Sequence, residues 1–304
     1  LDNGASKTIV IGAHYDHLGY GEDHNSLYTG EAAIHNGADD NASGTAALIE
    51  LAKMLKTSKL KSRNYLLLAF SGEELGLFGS KYFTEHPTIP LSTADYMINM
   101  DMLGRLNDSS HALTVGGYGT SPAWGQTFSA TDKFFTIKFD SSGSGPSDHT
   151  SFYRKDIPVL FFFTGLHSDY HKPGDDAVKI NYTGELRVLK FAYSIVESLN
   201  KKGKIAFTKT REMKMGSSTA FKVTLGIMPD YAFNGSGVRV DGVTDGKVAQ
   251  KAGIKTGDVI TQLGEYKFAD LQAYMETLNK FNKGDTTKVR LKRGKEELHF
   301  GIVF

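Results

Sequence analysis

Five short segments carry the acidic and imidazole groups that could do chemistry in this chain. His14-Tyr15-Asp16 follows the apolar run TIVIGA, and Asp39-Asp40-Asn41 stands just ahead of Ser43. Glu73-Glu74 follows NYLLLAFSG, Asp101 follows YMINM, and His171 follows VLFFFTG after a short loop. Taken singly, the acid pairs have a second use, since carboxylates at helix starts cap N–H groups and favour the helix dipole. Asp101 is different, because an acid at the end of so apolar a run must be paired or coordinated. Imidazole and carboxylate together form the donor set of a borderline divalent ion such as zinc. Two such ions a few ångströms apart take about five side chains, one of them a bridging carboxylate. The chain contains no cysteine, so thiolate ligands and disulfides are excluded.

The elements that must position these groups are read from hydrophobic rhythm. Thr8–Gly12, Asn64–Phe70, Tyr96–Met100, Leu113–Val115 and Val159–Phe163 are short apolar runs of strand length. Between them, Ser43–Leu55 has helical spacing at Ala47, Leu48, Leu51 and Leu55. Glu74–Glu85 repeats it with Leu77, Phe78 and Tyr82, and Gly184–Leu199 with Leu186, Leu189, Tyr193 and Val196. Alternation of this kind predicts an α/β fold, a mostly parallel mixed sheet flanked by helices. In open sheets of this class ligands bind beyond the carboxyl ends of strands, which is where the five segments fall.

A polar stretch, Asn200 to Ser218, follows the last long helix, and beyond it the rhythm changes to short strands, glycine turns and one helix at Asp270–Phe281. The 304 residues therefore divide into a first domain over 1–202, a linker over 203–217 and a small β-rich domain over 218–304. Lys plus Arg number 35 against 34 acids, a balance that gives no reason to expect nucleic acid as a partner. No apolar run approaches the roughly 18 residues of a membrane span. Localisation is left open by composition, and a removed leader is compatible with a chain that begins at Leu1.

The segments GAHYDH, GADDNASG, SGEELGLFGS, INMDMLG and YHKPGDD resemble, in order, the metal-site motifs of the co-catalytic zinc aminopeptidases. That clan includes bacterial leucine aminopeptidases and glutamate carboxypeptidase II, and the resemblance covers roughly residues 8–200. It implies two Zn²⁺ per chain, with His14 and Asp101 on one ion, Glu74 and His171 on the other, and Asp40 bridging them. It also implies a cis peptide after Asp40, and Glu73 as the general base toward a zinc-activated water. Asp16 is expected behind the His14 imidazole and Asp175 behind that of His171, as metal-bound histidines require. Tyr170 is expected to stabilise the oxyanion, and Asp148-His149 to line the site. The implied function is an exopeptidase that removes N-terminal residues from peptides. A carboxypeptidase or glutaminyl-cyclase-like enzyme on the same fold, and a non-catalytic peptide-binding scaffold, are the other readings. The resemblance also leans toward an exported or periplasmic protein, and toward further structure ahead of the GAHYDH strand.

The C-terminal part resembles PDZ domains of the bacterial protease-associated type. Leu225-Gly226-Ile227, the run GVRVDGVTDGKVAQKAGIKTGDVITQLG and the helix at Asp270 carry the resemblance. Such domains hold the carboxylate of a C-terminal peptide in a loop, here Leu225, Gly226 and Ile227, beside a strand to which the peptide adds. Pro229 lacks the N–H that strand addition uses. Packing against the first domain is the alternative role.

Overall fold

The computed structural model describes residues 1–22, 25–28, 30–129, 133–210, 223–229, 233, 235–243 and 246–304. The chain divides into two compact units, with the boundary close to residue 212.

The first unit is built on a six-stranded mixed sheet. Its elements in chain order are β1 (Thr8–His14), α1 (Gly44–Thr57), β2 (Asn64–Phe70), α2 (Phe78–Glu85), β3 (Ala94–Met100) and β4 (Ala112–Gly116). They continue with α3 (Ala123–Ser129), β5 (Thr136–Phe139), α4 (His149–Tyr153), β6 (Val159–Phe163) and α5 (Tyr182–Leu199). The strand order is β2-β1-β3-β6-β4-β5, parallel throughout except for the antiparallel β4–β6 pair. Every residue of β1 and β3 is buried, as continuous apolar runs in the middle of a parallel sheet must be. Alternate side chains serve opposite faces. Ile9, Ile11 and Ala13 of β1 join the core with α1, α3 and α5, while Val10 packs with Phe152 and Tyr153 of α4.

Two of the expected helices bury a different face from the one their spacing suggested. In α2, Phe78 and Tyr82 are 58% and 67% exposed, and the buried side chains are Ser80 and Thr84. Close approach explains the choice: a Cβ at Gly79 would lie 2.5 Å from the Ser71 carbonyl oxygen, so this helix docks through its smallest residues. In α5, Leu186 is exposed while Val188, Phe191, Ala192 and Ile195 join Leu189 and Val196 inside. α1 buries the four positions its spacing predicted. The sequence reading omitted β5, α3 and α4, which are too short or too polar to display a period.

Arg63 is fully buried, with Nε donating to Asp95 at 2.6 Å and Nη1 to the carbonyls of Leu199 and Asn200 at the end of α5. Asp95 also accepts from the Ile205 N–H at 2.8 Å. Residues 203–210 therefore run along the first unit, with Ile205 buried in its core.

The second unit is an antiparallel sheet ordered β12-β11-β9-β8-β7. It comprises β7 (Ile227–Pro229), β8 (Val238–Val243), α6 (Val248–Ala252), β9 (Val259–Leu263), β10 (Tyr266–Lys267), α7 (Leu271–Leu278), β11 (Thr286–Arg293) and β12 (Glu296–Val303). Leu225, Val238, Val240, Ile254, Ile260 and Leu263 form its core with Tyr274 and Leu278 of α7. Gly253 ends α6 at φ 83°, and Asp270 caps α7 by accepting from the Ala273 N–H at 2.9 Å. No described helix is long and apolar enough to cross a membrane.

Candidate metal centre

The four neighbouring strands β2, β1, β3 and β6 run parallel, so their carboxyl ends open on one edge of the sheet. Glu73-Glu74 leaves β2, His14 ends β1, Asp101 follows β3, and the segment after β6 leads to His171. Asp40 arrives from a kinked turn, Ala38–Ser43, whose Asp40–Asn41 peptide is cis, as the resemblance implied. That turn is held from several sides. Asn41 donates to the Met100 carbonyl and accepts from the N–H groups of Gly44 and Met102, each at 3.0 Å. Asp39 accepts from the Gly104 N–H at 2.6 Å and from the Ser43 hydroxyl at 3.0 Å, which ties the turn to the segment after β3.

The five proposed ligands converge around the two oxygens of Asp40. His14 Nε2 lies 3.3 Å from Asp40 Oδ1 and 3.6 Å from Asp101 Oδ1. His171 Nε2 lies 3.2 Å from Asp40 Oδ2 and 3.1 Å from Glu74 Oε2. Two atoms bound tetrahedrally to one zinc at 2.0–2.1 Å are themselves roughly 3.3 Å apart, so both sets have the spacing of a shared ion. Each imidazole donates its Nδ1–H to a backbone carbonyl, His14 to Asp16 at 3.1 Å and His171 to Asn25 at 2.8 Å. That leaves each Nε2 facing carboxylate oxygens, and His171 Nε2 is buried without a hydrogen-bond partner. A lone pair directed at carboxylates needs a cation between them. The residues fit a pair of divalent ions.

The electrostatics agree. Burial works against a charged His14, yet Asp101, Asp40 and Glu73 outweigh it and raise its pKa well above the usual imidazole value. Burial opposes charge on His171 as well, and Asp40 and Glu74 lift it to about 10. Cations are thus favoured at both positions, and a metal competes with protons for them. Burial alone would raise Glu74, but the facing imidazoles of His17 and His171 hold it below the usual carboxylate range.

Glu73 is held differently. Its Oε2 is 4.0 Å from His14 Nε2. Burial, reinforced by Asp101, Asp148 and Glu74 against the opposing His14, pushes its carboxyl well up. Asp148, fully buried at the start of α4, is pushed by burial to about 7, and His149 is lowered by burial to about 3 and stacks on Phe161 at 4.6 Å.

The two expected supporting carboxylates have tasks other than the ones anticipated. Asp16 places Oδ1 3.7 Å from His14 Nδ1, and its carbonyl makes the hydrogen bond to that ring. Its carboxylate accepts from the N–H groups of Glu73 and Glu74, at 3.2 and 3.3 Å. Asp175 Oδ2 accepts from the N–H groups of Asp39 and Asp40, at 2.9 and 3.0 Å, while the His171 ring is oriented by Asn25. Both acids therefore pin the ligand-bearing loops rather than the imidazoles. Tyr170 stacks on His171, with ring centroids 3.9 Å apart.

Sequence reasoning missed three supports. Ser147 donates to Asp101 Oδ2 at 2.7 Å and accepts from Asn99 Nδ2 at 2.7 Å. His17 places Nδ1 2.8 Å from Glu74 Oε1, and its ligand atoms group with those of Asp40 and Glu74. The signal was present in GAHYDH, where a second imidazole stands three residues after His14.

A model of peptidase family M28 matches residues 1–196. The chain belongs to peptidase family M28. A PDZ-domain model matches residues 205–303. Aminopeptidase YwaD of Bacillus subtilis (strain 168) is 27% identical over 226 residues, covering 70% of this chain and 46% of that protein. Leupeptin-inactivating enzyme 1 of Streptomyces exfoliatus is 33% identical over 147 residues, 47% of this chain and 32% of that one. The M28 chain here thus spans half or less of these two relatives. Among solved structures, BSAP, a zinc aminopeptidase from Bacillus subtilis, aligns with a TM-score of 0.54 at 25% identity, covering 66% of this chain and 49% of that one. A glutaminyl cyclase from Bacteroides thetaiotaomicron shares the fold at 19% identity and a TM-score of 0.52.

In the second unit, the expected carboxylate loop lies at the start of β7, the end strand of the sheet. Leu225 is fully buried in the core, and Gly226 has φ 72° and donates its N–H to Thr224 Oγ1 at 3.0 Å. Pro229 pairs with Val240.

Proposed function

We propose that the first unit is a dinuclear zinc aminopeptidase, which removes N-terminal residues from peptides. The observation that carries this reading is the division of Asp40, whose Oδ1 faces His14 and whose Oδ2 faces His171. One carboxylate turned to two imidazoles, each with its own second carboxylate, suits two ions better than one. The printed names of YwaD and BSAP, an aminopeptidase and a zinc aminopeptidase, support the same direction.

His14, Asp101 and Asp40 would hold one zinc, and His171, Glu74 and Asp40 the other. Bound there, zinc supplies a water of lowered pKa and polarises the scissile carbonyl. Glu73 is assigned as the general base: its Oε2 stands 4.0 Å from His14 Nε2, beside the first ion position, where a carboxylate can take a proton from water and return it to the leaving amine. It binds neither ion in this reading: 4.0 Å is farther than the 3.1–3.6 Å at which the other carboxylates face the two imidazoles. Tyr170, adjacent to His171, is assigned to the developing oxyanion. In the second unit, the end position of β7 and the left-handed Gly226 support docking of a peptide carboxyl terminus.

The deciding experiment combines metal analysis with substrate polarity. Gently purified protein should carry close to two zinc equivalents and hydrolyse aminoacyl arylamides with a free amine, but not their N-acetylated forms. Less than one equivalent, or preference for blocked amines, would reject the reading.

A further inference from the structure

Glu74 is an acid of the centre supported by an imidazole, His17, that no family resemblance in the sequence assigned. It sits in a glycine-flanked turn, with Gly72 at φ 68° and Gly76 at φ 116°, ahead of α2. A glutamate there has three side-chain torsions to fix before it can present a single oxygen. Oε2 faces His171 at 3.1 Å, and Oε1 faces His17 Nδ1 at 2.8 Å. The two oxygens thus have separate occupations.

We propose that His17 is the positioning residue of the second metal position, its Nδ1–H holding Oε1 of Glu74 so that only Oε2 is offered to the ion. The proposal rests on the dinuclear reading above. It parallels the other half of the centre, where Ser147 occupies Asp101 Oδ2 and leaves Oδ1 facing His14. The ring of His17 is itself immobilised. Its edge meets His171 at a centroid distance of 5.8 Å and 79°, and a Cβ at Gly37 would come within 2.6 Å of its Cγ. Gly37 adopts φ 59°, so the backbone at that point both requires glycine and lies against the imidazole.

The alternative role, direct ligation, is disfavoured by the same atom. A nitrogen that donates its proton to a carboxylate at 2.8 Å has no lone pair left for a metal. Nε2, the remaining ring nitrogen, is buried and makes no hydrogen bond, so ligation through it is the outcome that the Asn variant below tests. Partners of this kind typically change metal affinity about 10–100-fold when removed, without changing the ligand set.

The test is a titration of metal-free protein with Co²⁺ against a competing chelator, followed by the visible d–d absorption of each equivalent. Wild type should bind two equivalents. His17→Ala should bind the first as wild type does and the second about 10–100-fold more weakly. His17→Asn, whose amide N–H stands where Nδ1–H stood, should restore the second affinity and its spectrum. An Ala variant that binds both equivalents like wild type overturns the role of His17. An Asn variant as weak as the Ala variant overturns positioning in favour of ligation. A wild-type protein that binds one equivalent sinks the dinuclear reading itself, a result separable from either.

Discussion

The two halves of the centre are built by different means. His14 and Asp101 stand at the ends of adjacent, fully buried strands, and His14 is 1% exposed. Their spacing follows from the sheet itself, and Ser147 and Asn99 support Asp101 from inside the fold. His171 and Glu74 belong to loops, His171 is 13% exposed at its side chain with φ 53°, and their partners are Asn25 and His17 from a third loop. The lesson is that a parallel sheet preorganises the His14–Asp101 pair at little further cost. The other has to be assembled from hydrogen bonds among loops.

The largest expected effect belongs to the group between the halves. On the proposed reading Glu73→Gln would remove a base and no ligand, so it should lower kcat about 10²–10⁴-fold while two metal equivalents stay bound. Retained activity, or a lost equivalent, would show that Glu73 belongs to one half. Chelator dialysis should next separate the halves directly. The equivalent at His171 and Glu74 should leave first, with its affinity about tenfold or more below that at His14. Simultaneous loss of both equivalents would break the comparison. Loop-pinning acids give a smaller contrast, read by thermal or urea unfolding of the metal-free protein. Asp175→Ala, at a fully buried site with two N–H groups to satisfy, should cost about 2–4 kcal/mol. Asp16→Ala, 17% exposed at its side chain, should cost about 1–2 kcal/mol because water can reach the freed groups. Equal losses would mean that the loops are not held independently. Smallest of all, Ser147→Ala should weaken the first equivalent by about tenfold, since the strands still hold Asp101 in place.

How much was legible varied with the range of the interaction. The central strands were readable because burial on both faces writes itself as an uninterrupted apolar run. Thr8–His14 and Val159–Phe163 are examples. β5, mostly exposed, and α4, five residues long, offered no period to read. α2 was readable as a helix but not in its orientation, which the close approach at Gly79 decided. In the centre, residue types and their order along the chain pointed to the five segments, and the resemblance to the zinc aminopeptidases proposed the ligand in each. The roles of Asp16 and Asp175 were not readable: HxD spacing places an acid near an imidazole, but its 3.7 Å separation and the two competing N–H donors exist only after β2 lies beside β1.

What the amino-acid sequence determined alone is the donor chemistry and its placement at strand ends. Histidine and carboxylate without cysteine leave only nitrogen and oxygen ligands, and the apolar runs state where the sheet stops. The tertiary structure decided which oxygen of each carboxylate faces which imidazole, and that His17 and Ser147 occupy the others. The physical reason is distance. A strand is specified by contacts within its own period, whereas a hydrogen bond of 2.7 or 2.8 Å joins atoms that the chain separates by 46 or 57 residues. Only the folded sheet brings such atoms within reach.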